Sequence, residues 1–386
     1  MNQSENQLLF ALLRSAINGN LITEDEKAIY TDETLLNMAR MAKKHDLIHL
    51  LAIGLNTNKL FTSGNGASEK EIPKAIFRYE RTNYELGKLC EAFENAGIDF
   101  MPLKGPIISK YYPEPWMRTS CDIDILVKEK DLDRAAEILI KNEGYTYDAK
   151  GSHNISLFSA NKSHFELHYT LIEKGVANSS AKVLNTVWET SFVKKDKKYW
   201  HEMPDEMFYF YHIAHMAKHF EQGGCGIRTL LDLWILDNME SELQIKRDEL
   251  LRQGNLLKFA YSARLLSKVW FDNAEYTELT KQMEDYILRG GVYGTSENAL
   301  AIQQQKKGGR VKYALSKVFV PYERIKLHYP ILEKHPWLTP VMEVRRWFKI
   351  LFCGQAGSSL KELQSNNSIS REEAEQTKIF LENIGL

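Results

Sequence analysis

Apolar residues recur at helical spacing over residues 6–17 and again over 33–54. Thr31 stands just ahead of the second run and supplies a capping hydroxyl. Residues 61–68 are rich in Gly, Ser and Asn and read as a loop that sets off a small helical head. Pro73 suits the first turn of a long helix running to about Ala96, and Gly97 is placed to end it. A short apolar strand over 98–103 follows at once. Lys104-Gly105-Pro106 turns the chain into a short helix reaching Tyr112, which Pro113 and Pro115 break. A second strand begins polar at Asp122 and Asp124 and ends in Ile125-Leu126-Val127. Asp131 is placed to cap a helix over 132–142 that Gly144 terminates. Residues 155–160 and 164–170 read as two strands joined by a tight turn at 161–163. The stretch 192–200 has weaker strand character and is expected to extend the sheet.

After Pro204 the pattern turns almost wholly helical, over 205–221, 226–239, 241–253, 256–271, 274–287, 296–305, 310–318, 338–353 and 371–384. Gly290-Gly291 and Gly308-Gly309 break this series. The Pro- and aromatic-rich stretch 329–340 is expected to wrap the surface and lead into the helix carrying Arg345, Arg346 and Trp347. The polar stretch 358–370 reads as a mobile linker. Strands and helices interleave only between 73 and 203. The fold class predicted is α+β: a small mixed sheet with flanking helices, followed by a mainly helical C-terminal region. The chain divides on this pattern into a helical part over 1–70, an α/β core over 71–203 and a helical part over 204–386.

Composition narrows the function more than the fold. The 386 residues suffice for two or three packed units, and 44% hydrophobic with 26% charged residues is ordinary for a globular protein. Fifty Lys and Arg against 51 Asp and Glu leave a net charge of −1, so no broad basic surface for tracking a nucleic-acid backbone is indicated. Lys194, Lys195, Lys197 and Lys198, and the Arg345-Arg346 pair, read as short solvated faces. Cys90, Cys121, Cys225 and Cys353 form no Cys-x-x-Cys pair and read as free thiols of a reducing compartment. The N-terminus has no basic segment followed by a long apolar run, and no stretch has the length of a spanning helix. A cytoplasmic protein with no membrane partner is expected.

The candidate chemistry lies between residues 97 and 127. Successive side chains of a strand face opposite ways, so Asp122 and Asp124 share a face, their Cα atoms roughly 6.5–7 Å apart, while Ile123 and Ile125 turn to the core. Two carboxylates on one face of a buried strand repel and lose solvation unless a cation lies between them. Hard divalent ions such as magnesium take oxygen ligands, typically one or two carboxylates with substrate phosphates. Lys104 and Gly105 sit where a strand meets a helix start, a place that lets backbone amides approach phosphate. Arg118 can clamp phosphates through its planar fork; the competing reading is an ion pair with a nearby carboxylate. Ser120 can donate to a phosphate or simply fit the strand entry.

Arg118-x-Ser120-x-Asp122-x-Asp124, following Leu103-Lys104-Gly105, resembles the nucleotidyltransferase superfamily that includes DNA polymerase beta. Within it the chain is similar to a group of bacterial nucleotidyltransferases, themselves uncharacterised, that carry a Leu-Lys-Gly turn. The toxin component of some abortive-infection systems has a similar arrangement. The strict superfamily pattern has a Gly-Ser pair where this chain has Lys104-Gly105. The resemblance implies a third carboxylate on a later strand, a place that Glu166 in His164-Phe-Glu166-Leu-His168 fits. Without the resemblance, the alternation there reads as an exposed strand face. It also implies that Asp122, Asp124 and Glu166 hold one or two Mg2+ ions, that Lys104, Gly105, Arg118 and Ser120 contact the phosphates of ATP or another nucleoside triphosphate, and that pyrophosphate is released.

His212, His215 and His219 fall on one helix face, and Arg228 and Asp232 lie four apart on the next helix. A similar helix pair occurs in the resembling family. It reads here as packing against the sheet or lining of the substrate cleft, with a structural zinc site as the competing reading. The acceptor is open, a small molecule or protein being favoured over nucleic acid by the charge balance. Two other classes stay in view: a non-catalytic nucleotide-binding module, and a toxin-like enzyme that modifies RNA or protein.

Overall fold

The computed structural model describes residues 1–60, 70–172, 178–238, 241–322, 325–326, 329–352 and 369–386. The expected loop at 61–68, Cys353 and nearly all of the stretch 358–370 lie outside the described residues.

Strands β1 (Phe100–Pro102), β2 (Asp122–Val127), β3 (Thr146–Lys150), β4 (Asn154–Phe158) and β5 (His164–His168) form a five-stranded mixed sheet in the order β1-β2-β5-β4-β3. Only β2 and β5 run parallel; the other pairs are antiparallel. The polarity of each strand decides which way the sheet faces. Ile123, Ile125, Leu157, Phe165 and Leu167 turn to one side and pack under two helices. The other side carries Asp122, Asp124, His164, Glu166 and His168, which fall at alternate positions of β2 and β5. A sheet with one apolar and one polar face is what this period-two pattern dictates.

Two expected elements differ. Residues 192–200 do not add a full strand to the sheet. Phe192–Val193 and His201–Glu202 pair as a separate two-stranded ribbon, joined to β1 by a single bridge between Phe100 and Trp200. The lysine-rich stretch between them is a turn, with Asp196 at φ +63°. Strand β3 was not predicted, because Thr-Tyr-Asp-Ala-Lys has no apolar alternation; all five residues are exposed on the sheet edge.

The helices used below are α1 (Gln3–Asn18), α2 (Ile48–Thr57), α3 (Glu71–Ala96), α4 (Gly105–Ile108), α5 (Leu132–Asn142), α6 (Asp205–Phe220), α7 (Ile227–Asp237) and α8 (Leu257–Phe271). Leu86, Leu89 and Phe93 of α3, with Leu132, Ala135 and Leu139 of α5, cover the apolar side of the sheet. Gly97 ends α3 at φ +65°, a conformation that favours glycine. Asp131 makes no side-chain cap; a 3-10 turn over Glu129–Asp131 leads into α5 instead.

The apolar run over 33–54 is two helices, Asp32–Lys44 and α2. They part at Asp46, which takes φ +58° and turns its carboxylate toward Arg78 and Arg228. Leu8, Phe10 and Leu12 of α1 share one core with Leu230, Leu233, Phe259 and Trp270 of α7 and α8. Phe10 stacks on Trp270 with ring centroids 4.3 Å apart. The 329–340 stretch is a helical turn at Ile331–Lys334 and a 3-10 turn at Pro336–Leu338, and it leads into the helix Thr339–Phe352.

His45 and His49 are buried where α2 meets α7 and the turn before β2. Nδ1 of His45 accepts the Ile227 N–H at 3.2 Å, and its Nε2 is buried without a partner among the described residues. His49 donates from Nε2 to the Met117 carbonyl at 2.8 Å. Burial pushes both imidazoles down from 6.5 to about 4. The unfolded chain therefore takes up protons below pH 6.5 that the folded chain refuses until about pH 4. Stability is unaffected by these groups well above pH 6.5 and falls as pH drops from there to about 4. At pH 5 the loss is about 2 kcal/mol per histidine. Urea unfolding at pH 7.5 and 5.0 measures it: His49→Gln should lose about 2 kcal/mol less than the wild type between the two pH values. Equal losses would mean that His49 is charged or solvated in the folded chain.

Candidate active site

Backbone pairing brings the sequence-predicted residues together. β1 runs antiparallel to β2, and the Leu103 N–H donates to the Asp124 carbonyl at 2.9 Å. The next residue, Lys104, thus arrives beside Asp124. Its backbone is strained, at φ +47° and ψ −109°, a conformation costing on the order of 1–3 kcal/mol in a non-glycine residue. The strain aims the ammonium inward, where Nζ lies 3.1 Å from Oδ2 of Asp124. Gly105 opens α4 against the polar strand entry. A Cβ there would meet Ser120 Oγ at 3.0 Å, so a side chain would push the turn off the strand. Ser120 Oγ in turn donates to Asp122 Oδ1 at 3.2 Å.

The parallel register of β2 and β5 sets Asp124 directly beside Glu166. His168, two residues further along β5, directs Nε2 to both, 2.8 Å from Asp124 Oδ1 and 3.2 Å from Glu166 Oε2. Carboxylates only accept, so the proton of this contact is on His168. Asn154 of β4 donates to the same Glu166 oxygen at 2.9 Å. Burial works against the charges at this spot, yet mutual attraction outweighs it. Asp124, 2% exposed, is held well below the usual carboxylate range by Lys104 and His168. Lys104 lies above the usual lysine range because of Asp124. His168 rises despite its burial through its bonds to the two carboxylates, and the His168 bond lowers Glu166.

One oxygen or nitrogen from each of Asp124, Glu166 and His168 falls within 4.8 Å of the others, close enough to surround one metal ion. Asp122 stands just outside this set. Its second carboxylate oxygen has no partner among the described residues, and its side chain lines the same cavity. The carboxylates of Asp124 and Glu166, with Asp122 on the same face, suit a divalent cation, and His168 Nε2 could join them only on giving up the proton it donates to them. His168 belongs to this group although the sequence reading gave it no role; the His-x-Glu-x-His alternation was the available signal.

The cavity is about 550 Å3, within the usual size of ligand pockets. The polar side of the sheet forms its floor and α6 its opposite wall. Tyr211, His215 and His219 face it from α6. Nε2 of His215 and His219 lie 3.2 Å apart, so one donates and the other accepts. Burial holds His215 well below the usual histidine range and His219 at about 4, so both rings are neutral near pH 7. His212 is also held below the usual histidine range, chiefly by burial, and donates from Nε2 to the Thr229 carbonyl at 3.2 Å. The three histidines thus line and pack the cleft.

Arg118 forms the ion pair that was the competing reading for it. Its Nε and Nη2 bind the two oxygens of Asp232 at 2.8 and 2.9 Å, and Tyr112 donates to the same carboxylate at 2.7 Å. Its Nη1 donates to the Thr119 carbonyl. Arg228 donates to the same carbonyl at 3.0 Å and to Asp46 at 2.7 Å, and Thr119 Oγ1 donates to Asp46 as well. The turn into β2 is thereby gripped from α7 and from the break before α2. Asp46 was not singled out from the sequence, since an isolated Asp between two helices carries no pattern.

A protein-family model described as "Uncharacterised nucleotidyltransferase" matches residues 33–272, which take in the whole sheet and the helices that face it. No curated protein and no solved structure matches the chain. Among the described residues no helix is long and apolar enough to cross a membrane.

Proposed function

The chain belongs to the uncharacterised nucleotidyltransferase family, and from that premise we propose that it transfers a nucleoside monophosphate from a nucleoside triphosphate, with Mg2+, to a hydroxyl or similar acceptor. The observation that carries this reading is the in-register pairing of Asp124 with Glu166 beside the Lys104 ammonium. It sets two carboxylates and a cation around one point, with Lys104 and Glu166 lining the cavity and Asp124 buried directly beneath them.

Asp124, Glu166 and Asp122 are the residues that would hold one or two ions. When bound, the cation offsets phosphate charge and lowers the pKa of an attacking hydroxyl. Lys104 lies where the phosphates would enter, and the Gly105 turn lets them approach the backbone closely. Ser120 holds the orientation of Asp122 through Oγ. His168 and Asn154 fix the carboxylate of Glu166, leaving it poised to take the acceptor's proton. The acceptor oxygen bonds to the α-phosphorus, the bond to the β-phosphate oxygen breaks, and the electron pair leaves on pyrophosphate. Positioning and preorganised charge supply most of the rate in such a site. The free thiols of Cys90, Cys121 and Cys225 suit a reducing, cytoplasmic setting.

Incubating the protein with each α-labelled nucleoside triphosphate, magnesium and cell extract tests the reading. A labelled product identified by mass spectrometry, with pyrophosphate released in step, is expected from the wild type and not from an Asp122→Ala/Asp124→Ala double variant. Label transfer that is unchanged in the double variant would overturn it.

A further inference from the structure

Arg118 and Arg228 both line the cavity, but they are not equally able to take up an anion. Every nitrogen of the Arg118 guanidinium is committed: Nε and Nη2 to Asp232, and Nη1 to the Thr119 carbonyl. Its side chain is 10% exposed. Arg228 uses only Nη1, which donates to Asp46 and to the same Thr119 carbonyl. Its Nε and Nη2 have no partner among the described residues. We infer that Arg228, rather than Arg118, is the guanidinium that binds the polyphosphate of the nucleotide. This assignment rests on the nucleotide-transfer reading above and deepens it.

The local charge count points the same way. Asp46 and Asp232 are the two carboxylates that pair with Arg78, Arg118 and Arg228. Asp232 is matched by Arg118 through a two-pronged contact, and Asp46 is divided between Arg78 and Arg228. One positive charge is left over, and it faces the cavity at Arg228. Burial and the nearby Arg118 charge both hold Arg228 below the usual arginine range, so an incoming anion relieves a cost. The free N–H edge is a planar fork of the kind that receives two phosphate oxygens together. Its place is fixed, because Nη1 is anchored 3.0 Å from the Thr119 carbonyl, next to Ser120 and close before Asp122. Lys104 on one side and Arg228 on the other would then hold a polyphosphate between the β1 turn and the start of α7. Glu221, the residue that follows α6 and also lines the cavity, is paired with Lys306.

Calorimetric titration of the full chain with inorganic tripolyphosphate tests the assignment apart from any turnover. Arg228→Gln should weaken binding about tenfold or more, the range of a lost charge-assisted bond. Arg78→Gln, which also takes a partner from Asp46 but lies away from the cavity, should bind within about twofold of the wild type and serves as the control for folding. If Arg228→Gln melts well below Arg78→Gln, Arg228→Lys replaces it. That variant keeps a cation beside Asp46 but lacks the fork, and it should still lose several-fold in affinity. Wild-type affinity in both Arg228 variants, or no tripolyphosphate binding by the wild type, overturns the inference. Loss of binding in Arg228→Gln without nucleotide transfer by the wild type would sink the transfer reading and leave the anion site. Transfer with an unchanged KM in Arg228→Gln would do the reverse.

Discussion

Asp124→Asn is expected to lower nucleotide transfer by a factor of about 10³ or more, the largest effect of any single substitution at the site. Asn keeps the size of the side chain and removes its charge. Asp124 is the hub of the site: Lys104, His168 and, through His168, Glu166 all converge on it. Without that charge, the Lys104 ammonium and the His168 proton face each other across a neutral amide, and the carboxylates left are the half-buried Asp122 and Glu166. A cation held by all three would bind far more weakly, and triphosphate charge would go unmatched. Glu166→Gln, which leaves the Asp124–Lys104 contact in place, should fall by a smaller factor, about 10². Steady-state kinetics of pyrophosphate release, with thermal melts of each variant, separates lost chemistry from lost fold. Turnover by a folded Asp124→Asn protein within tenfold of the wild type would exclude Asp124 from the reaction.

The largest effect on stability is expected at Asp232, a 2% exposed carboxylate on α7. Its oxygens take Nε and Nη2 of Arg118 and the Tyr112 hydroxyl. Asp232→Ala removes the anion and leaves the Arg118 charge buried without a partner. Breaking a buried pair from one side costs about 3–5 kcal/mol. The loss is not symmetric: Asp232→Leu combined with Arg118→Met removes both charges and should recover a large part of it, less the orphaned Tyr112 hydroxyl. Urea unfolding of the two proteins reads the difference directly. If the double variant were as unstable as Asp232→Ala, the damage would come from lost packing and not from a stranded charge.

Much of this was legible in the sequence, and the reasons it was legible are local. Helices with strong apolar periodicity and clear punctuation were placed nearly to the residue. α3 between Pro73 and Gly97 and the helices after Pro204 are examples, because apolar spacing and the prolines and glycines at their ends lie within or beside each segment. Asp122 and Asp124 were placed on one face because strand alternation is itself a local rule, whereas Glu166 was reached only through the family resemblance, its own alternation reading as an exposed strand face. What the sequence could not state is which strands are neighbours. Asp124 meets Glu166 only because β2 and β5, separated in sequence by β3 and β4, pair directly as parallel neighbours, and no property of either segment fixes that register. β3 escaped notice because an exposed edge strand needs no apolar face. The partner of Arg118 was open for the same reason: Asp232 lies 114 residues away, and burial alone decides that the fork closes on it. His168 and Asp46 were passed over because each works through a contact between distant elements.

Crystals of the protein grown with Mn2+ and a non-hydrolysable nucleoside triphosphate analogue give the most direct measurement. An anomalous peak at coordination distance from Asp124 and at least one of Asp122 and Glu166, with the triphosphate reaching toward Lys104, is the result this account requires. Triphosphate bound elsewhere, or no ion beside Asp124 while Lys104 and His168 keep their hold on its carboxylate, would contradict it.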